Sequence, residues 1–126
     1  MATEFCEVYR CEVCGNIVEV LRPAAGELVC CGTPMTRLAA NTVDASREKH
    51  VPVVEVSDRG VLVKIGSAPH PMTPEHFIEW IELVAGDRIE RRHLKPGEVP
   101  QAFFECSCRS EVTVRAYCNL HGLWKN

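Results

Sequence analysis

The residues of this sequence best suited to chemistry are its eight cysteines and five histidines. Cys11 and Cys14 form a C-x-x-C-G motif, and Cys30 and Cys31 are adjacent and are followed by Gly32. A C-x-x-C turn directs two sulfur atoms at one point, where thiolates bind zinc or iron. The four cysteines therefore predict a tetrathiolate metal site. Their spacing alone does not identify the metal, and a purely structural zinc remains an alternative.

A second candidate site consists of four histidines and one cysteine in the remainder of the chain. These residues lie beside predicted turns and strand ends, where ligands are more common than core side chains. The spacing of Cys118 and His121 lets two side chains reach one metal from a single turn. Imidazoles combined with one thiolate can stabilise iron in more than one oxidation state. The candidate ligands are His50, His70, His76, Cys118 and His121.

The first candidate site belongs to a small N-terminal unit. Residues 1–37 contain five of the eight cysteines and no histidine. So short a segment buries too little apolar surface to fold reliably alone, and a bound metal would supply the missing stability. Short alternations of apolar and polar residues predict strands near Glu7–Arg10 and Ile17–Val20. We therefore expect a small metal-binding domain over residues 1–37.

The second candidate site belongs to a β-rich domain, which we assign to residues 38–126. Turn signals such as Asp58-Arg59-Gly60 and Lys95-Pro96-Gly97 separate short runs rich in β-branched and aromatic residues. Their spacing is typical of a small antiparallel sandwich, so we predict a mostly β chain with an Ig-like β-sandwich and no substantial helix. The predicted strands are Val51–Val56, Val61–Ile65, Ile78–Val84, Arg88–Leu94, Ala102–Glu105 and Val112–Tyr117.

Composition narrows the possible partners and the compartment. The 126 residues carry a net charge of -3, which argues against nucleic acid as a partner. An anionic substrate would need a local positive group, for which Lys49 is the candidate. No apolar run reaches the roughly 18 residues needed to cross a bilayer. The first residues lack the pattern of a secretory signal, so we expect a cytoplasmic protein without membrane contact and with reduced thiols.

Several motifs together resemble the desulfoferrodoxin family of two-iron superoxide reductases. The C-x-x-C and Cys-Cys-Gly motifs resemble its N-terminal desulforedoxin-like domain, and the resemblance implies a desulforedoxin/rubredoxin-like fold for residues 1–37. The remaining motifs resemble its catalytic domain, and they are E-K-H-V-P at 48–52, H-P-M at 70–72, I-E-W-I at 78–81 and Y-C-N-L-H-G at 117–122. The resemblance covers nearly the whole chain.

This resemblance implies two iron centres and an enzymatic activity. Cys11, Cys14, Cys30 and Cys31 would bind a distorted iron tetrathiolate. His50, His70, His76 and His121 would be equatorial ligands of a second, non-haem iron, with Cys118 as the axial thiolate. Lys49 would stabilise the bound anion, and Glu48 would take the sixth position of the oxidised iron. The implied reaction reduces superoxide to hydrogen peroxide with electrons from a rubredoxin-like donor, in a homodimer.

Other interpretations of the same residues stay open at the level of the sequence. The second iron could serve an electron carrier without superoxide chemistry. The C-x-x-C motif could belong to a zinc-stabilised binding module, and the protein could also be a dismutase. Cys6, Cys106 and Cys108 match no ligand position, and we interpret them as incidental thiols, although Cys106 and Cys108 could form a local disulfide. We expect His93 on the surface and Trp80 in a packing role.

Overall fold

The computed structural model describes residues 2–106 and 112–126 and divides the chain into two compact units, Met1–Ala39 and Ala40–Asn126. Strands dominate both units, which confirms the prediction of a mostly β chain. Within the described residues, no helix has both the length and the apolar character required to span a bilayer.

The first unit is built from five short strands. In the sheet, β1 pairs antiparallel with β2 on one side and β5 on the other, while β3 and β4 form a separate hairpin. The buried apolar residues described in this unit are Val8, Cys11 and Val20, so its core is very small. The strands are β1 Val8–Arg10, β2 Ile17–Glu19, β3 Val29–Cys30, β4 Thr33–Pro34 and β5 Thr36–Arg37.

The second unit is a β-sandwich of a three-stranded and a four-stranded antiparallel sheet. The strand orders are β10-β7-β6 and β12-β11-β8-β9. A one-turn helix, α1, precedes the first strand of the unit. The elements are α1 Arg47–His50, β6 Pro52–Val56, β7 Gly60–Ile65, β8 Ile78–Ala85, β9 Arg88–His93, β10 Gln101–Glu105, β11 Thr113–Cys118 and β12 Gly122–Lys125.

The alternation of apolar residues along the strands produces the core of the sandwich. Val61 and Val63 on β7 are buried, and so are Ile81 and Leu83 on β8. Residues two apart on a strand project to the same side, so these pairs face the space between the sheets. Cys118, at the end of β11, belongs to the same cluster, which places a candidate ligand at the edge of the core.

The predicted strands of this unit are confirmed, with ends that differ by at most one residue. Two elements were missed. The helix Arg47–His50 is a single turn, too short to show an apolar stripe. The strand Gly122–Lys125 contains one aromatic and no β-branched residue, so it lacks the enrichment on which the strand predictions relied.

Candidate metal centres

The Cys11–Cys14 turn is shaped by backbone amides that point at sulfur. The amide of Cys14 lies 3.4 Å from Sγ of Cys11, and the amide of Asn16 lies 3.5 Å from Sγ of Cys14. Gly15 closes the turn with a φ of +85° and donates to the carbonyl of Cys11. This left-handed conformation favours glycine, which explains the glycine directly after the motif. Both sulfurs thereby accept hydrogen bonds while remaining directed toward one point.

The adjacent residues Cys30 and Cys31 lie at the tip of a tight hairpin. Strand β3 ends at Cys30, β4 begins at Thr33, and Cys31 and Gly32 form the two-residue loop. Their φ angles are +53° and +74°, as a type I′ turn requires at both central positions. Gly32 adopts this conformation readily, whereas for Cys31 it costs about 1 kcal/mol. The hairpin thus presents two sulfurs from consecutive residues without an intervening spacer.

The four sulfurs of the first unit lie at distances that suit a tetrahedral metal. Sγ of Cys14 is 3.6 Å from Sγ of Cys30, which is 4.0 Å from Sγ of Cys31. A tetrahedron with metal–sulfur bonds of about 2.3 Å has sulfur–sulfur distances of about 3.8 Å. All four ligand atoms lie within 4.8 Å of one another, and all four cysteines are free thiols. The set fits an iron tetrathiolate.

The thiols of this set have different pKa values because each lies close to backbone amides or to other sulfur atoms. Hydrogen bonds from the backbone of Cys14 lower the pKa of Cys11 to about 6. Contacts with the neighbouring sulfurs, first of all that of Cys14, raise the pKa of Cys31 to about 12 and also raise that of Cys30. A cation among the sulfurs would remove this conflict, because metal binding replaces the remaining protons.

In the second unit, His50 and His70 are held with one ring nitrogen directed inward. Nδ1 of His50 lies 2.6 Å from the carbonyl oxygen of Ser46, and Nδ1 of His70 lies 2.7 Å from that of Pro71. A carbonyl only accepts, so each Nδ1 carries the proton and each Nε2 has a free lone pair. The two Nε2 atoms face each other at 3.2 Å. A metal ion beside both nitrogens would accept these two lone pairs.

The remaining donors of the second site converge on the same point. Nδ1 of His121 lies 3.1 Å from Nε2 of His50 and 3.9 Å from Sγ of Cys118. Nε2 of His76 is buried without a hydrogen-bond partner, and its ring lies 4.7 Å from that of His70. A buried polar nitrogen without a partner is costly, and a metal ion would satisfy it. The donor set fits an iron bound by four imidazoles and one thiolate.

Burial favours the neutral form of three imidazoles of this site. It lowers the pKa of His70 to about 4 and also lowers the pKa values of His50 and His76. Burial raises the pKa of the Cys118 thiol, although hydrogen bonds from the backbone of Leu120 and His121 act in the opposite direction. Neutral imidazoles bind metals and imidazolium does not. The site is therefore prepared for a metal at neutral pH.

The structure brings together every ligand that the sequence predicted. Cys11, Cys14, Cys30 and Cys31 form one group; His50, His76, Cys118 and His121 form the second. His70 joins the second group through its contact with His50.

Glu48 and Lys49 lie on α1 directly before His50, and both side chains are exposed. Burial is the main cause of the lowered pKa values of His50 and His76, and the charge of Lys49 lowers both further.

The segment that carries these two residues is held by hydrogen bonds from residues 66–68. The amide of Ala68 and the hydroxyl of Ser67 both donate to the carbonyl of Glu48. Gly66 has a φ of +87°, and a Cβ atom there would lie 2.7 Å from the carbonyl oxygen of Glu48. The position therefore requires glycine, and α1 is held at a fixed distance from the site.

Two side chains that support the ligands were missed from the sequence. The ring of Trp124 stacks on His50 at 4.8 Å, and its Nε1 donates to the carbonyl of His121. Asn119 accepts from the amide of Phe77 and donates to the carbonyl of Glu75, which fixes the chain on both sides of His76. Only the position of Asn119 inside the Y-C-N-L-H-G motif could have indicated its role.

The other singled-out residues lie apart from both ligand sets. Cys6 is partly buried, and His93 is exposed on β9, as predicted. Cys106 is buried and disulfide-bonded, so its interpretation as a reduced thiol is wrong. Cys108 lies outside the described residues.

Comparison with known proteins adds independent findings. The desulfoferrodoxin family model matches residues 42–126, and the model of the desulfoferrodoxin N-terminal domain matches residues 3–38. The desulfoferrodoxin of Syntrophotalea carbinolica is 58% identical over 120 residues, which are 95% of this chain and 94% of that protein.

Solved structures are similar as well. The superoxide reductase of Treponema pallidum is 34% identical with a TM-score of 0.76, covering 95% of this chain and 97% of the other. The one-iron superoxide reductase of Giardia intestinalis is 34% identical with a TM-score of 0.55, covering 63% of this chain and 95% of the other. The shorter enzyme thus matches about two thirds of this chain.

Proposed function

Because this chain belongs to the desulfoferrodoxin family, we propose that it is a superoxide reductase, which converts superoxide to hydrogen peroxide. The observation that carries the proposal is the convergence of four imidazole nitrogens and the Cys118 sulfur in the second unit. The reaction consumes one electron and two protons for each superoxide. An iron held by these five residues would supply the electron.

The chain's own residues define the environment of that reaction. The carbonyls of Ser46 and Pro71 fix the rings of His50 and His70, and Cys118 contributes a buried thiolate. A thiolate donates electron density to iron, as in other thiolate-ligated iron proteins. Five donors leave one octahedral position for a small ligand, whereas a pure electron carrier would gain from a closed set. We assign this catalytic role to residues 38–126.

Lys49 and Glu48 occupy the position from which they could act on an entering anion. The chain has a net charge of -3, so only a local cation can draw superoxide to the site. Lys49 is exposed beside His50 and is close enough to influence His50 and His76. We assign to Lys49 the stabilisation of the anion and to Glu48 a reversible contact with the oxidised metal.

For residues 1–37 we propose an iron tetrathiolate domain that exchanges single electrons. Its four sulfurs complete a tetrahedral set, which leaves no position for a substrate. Sγ of Cys14 and Sγ of Cys30 accept hydrogen bonds from Asn16, an arrangement that stabilises thiolate charge. This domain would therefore handle electrons and leave superoxide to the second site.

The proposal extends to the cellular setting. A rubredoxin-like carrier would restore the electron used in each turnover. A cytoplasmic location would suit the reduced thiols of the two ligand sets, because an oxidising compartment favours disulfides. A homodimer would cover part of the apolar surface of the first unit, where Val18, Leu21 and Val29 are exposed beside a cavity of about 570 Å³.

The direct test is to mix the iron-loaded, reduced protein with a pulse of superoxide under anaerobic conditions. One hydrogen peroxide per superoxide and no dioxygen are expected, together with oxidation of one iron per superoxide. A His121→Ala variant should lose the reaction and keep the spectrum of the tetrathiolate, because its first unit is unchanged.

Three results would contradict the proposal. Release of dioxygen would indicate a dismutase. Reduced protein that ignores superoxide while exchanging electrons with rubredoxin would indicate a carrier. Zinc in both sites of protein from iron-supplied cells would indicate a structural module.

A further inference from the structure

A reductase must be supplied with one electron per turnover, and the second site is mostly buried. His50, His70 and Cys118 are each at most 3% exposed. Electron transfer between proteins slows steeply as the gap between donor and acceptor widens. A relay between the ligands and the protein surface would therefore shorten the step. The inference below rests on the proposed function.

An aromatic pair leads away from the axial ligand. Tyr117 precedes Cys118 directly on β11, and its ring stacks on that of Trp80 at 5.9 Å, with 15° between the planes. Tyr117 and Trp80 are cross-strand partners of β11 and β8. Both face away from the core cluster, since neither belongs to it while Ile81 and Ala116 do. Two rings in contact thus continue the chain of atoms that begins at the Cys118 sulfur.

The outer end of this pair carries a positive charge. The guanidinium of Arg91, on the edge strand β9, lies over the ring of Trp80 at 5.7 Å. Arg91 forms a close ion pair with Glu82, which is fully buried and is also paired with Arg115. Such a doubly paired carboxylate holds the guanidinium in place. The side chain of Arg91 keeps 33% of its surface exposed, so the contact reaches the solvent.

The same edge strand is the most basic segment of an acidic chain. Residues 88–95 contain Arg88, Arg91, Arg92 and Lys95, against the single carboxylate of Glu90. Arg88 is paired with Glu90. In the described parts of the chain, the guanidinium of Arg92 and the ammonium of Lys95 have no carboxylate within salt-bridge distance, although the amide of Lys95 donates to the Glu98 carboxylate. Unpaired cations on an edge strand attract an acidic protein and orient it.

We propose that an acidic one-electron carrier docks on β9 and that its electron reaches the second site through Trp80, Tyr117 and Cys118. In this step the carrier's reduced metal loses one electron and the oxidised iron held by the five ligands gains it. No bond forms or breaks along the relay. The two rings form the path of the electron, and Arg92 attracts the acidic carrier to β9.

The test measures reduction of the oxidised, iron-loaded protein by reduced rubredoxin in a stopped-flow instrument, separately from its reoxidation by superoxide. Trp80→Leu should slow reduction by rubredoxin at least about tenfold, equivalent to about 1.4 kcal/mol of activation free energy. Trp80→Phe should retain most of the rate because an aromatic ring remains. Reduction by ascorbate and oxidation by superoxide should be unchanged in both, since neither small molecule needs the relay.

A matched control separates the relay from packing. Leu123 is the cross-strand partner of Tyr117 on β12 and is 4% exposed, so it lies on the same face as Trp80. Leu123→Ala removes apolar contact and leaves both rings in place. It should reduce stability without slowing the reduction by rubredoxin.

Docking is tested by measuring the binding of rubredoxin, which needs no turnover. Arg92→Gln should weaken calorimetric binding of oxidised rubredoxin by up to about fivefold at low salt, and added salt should remove the difference. Lys64→Gln, which removes an equal charge from β7, should leave binding unchanged.

Each failure is distinguishable. Equal rates of reduction by rubredoxin in Trp80→Leu and in the unsubstituted protein would overturn the relay. Equal effects of Arg92→Gln and Lys64→Gln would overturn docking at β9. Reduced protein that does not react with superoxide would instead overturn the proposed function. If Trp80→Leu fails to fold, Trp80→Met replaces it. Reduction by rubredoxin should then be slower in Trp80→Met and should keep most of its rate in Trp80→Phe and Leu123→Ala.

Discussion

The two ligand sets differ in the elements that supply their residues and in how deeply those residues are buried. In the first, the ligands lie in two tight turns, Cys14 and Cys31 are exposed, and backbone amides point at the sulfurs. In the second, the ligands come from a one-turn helix, a loop and strand ends, and Cys118 is fully buried. A closed set near the surface suits electron exchange. A buried set with five donors suits the reaction of a small anion.

The sharpest test of this division is to remove one ligand from each set. His76→Ala should lower the rate of superoxide reduction by at least about 100-fold, because a ligand matters at least as much as the groups that orient it. Cys14→Ser should instead abolish the tetrathiolate absorption and leave that rate largely intact. Iron content, visible spectra and pulse radiolysis check both. Loss of both centres in either variant would contradict the independence of the two sites.

Gly66→Ala tests whether the second site depends on a fixed position of α1. The added Cβ would meet the carbonyl oxygen of Ala68 at 2.3 Å, in a left-handed conformation. We expect a loss of about 3 kcal/mol in the free energy of unfolding, measured by urea denaturation.

Gly97→Ala is the matched control for Gly66→Ala. Gly97 has a φ of +90°, but nothing lies within 4 Å of its Cβ position. This variant should lose only about 1 kcal/mol. Equal losses in the two variants would show that the crowding at Gly66 is unimportant.

Acidification tests the burial of the imidazoles in the metal-free protein. Burial lowers the pKa of His70 from 6.5 to about 4, so the unfolded chain takes up a proton that the folded chain resists. The stability is fully present above pH 6.5 and is lost as the pH falls toward about 4, by up to about 3 kcal/mol. Urea titrations across this range check the slope. His93→Gln should keep the slope, His70→Gln should reduce it, and a flat profile in the unsubstituted protein would contradict the prediction.

Lys49→Gln is the mildest test of the second site. It should slow oxidation of the reduced iron by superoxide about tenfold at low salt and reduce the dependence on ionic strength. Rapid mixing at several salt concentrations measures both effects. Lys64→Gln, the charge-matched control on β7, should behave like the unsubstituted protein. Equal effects of the two substitutions would assign the attraction to net charge instead of Lys49.

Sequence patterns predicted the strands well where β-branched residues are frequent. Gly60–Ile65 contains three of them, whereas Gly122–Lys125 contains none. The ligands were found from motif and family resemblance. Which nitrogen each histidine presents could not be predicted, since it depends on the carbonyls of Ser46 and Pro71, and a carbonyl has no side-chain signature.

The inward lone pairs of His50 and His70 have a consequence for metal supply. Their carbonyl partners are backbone groups, so the fold sets the orientation of both rings. A set of nitrogen and sulfur donors binds copper and zinc more strongly than ferrous iron. Loading with iron then depends on the supply of metal ions, and a cell rich in zinc would fill the same pocket with an ion that cannot donate an electron.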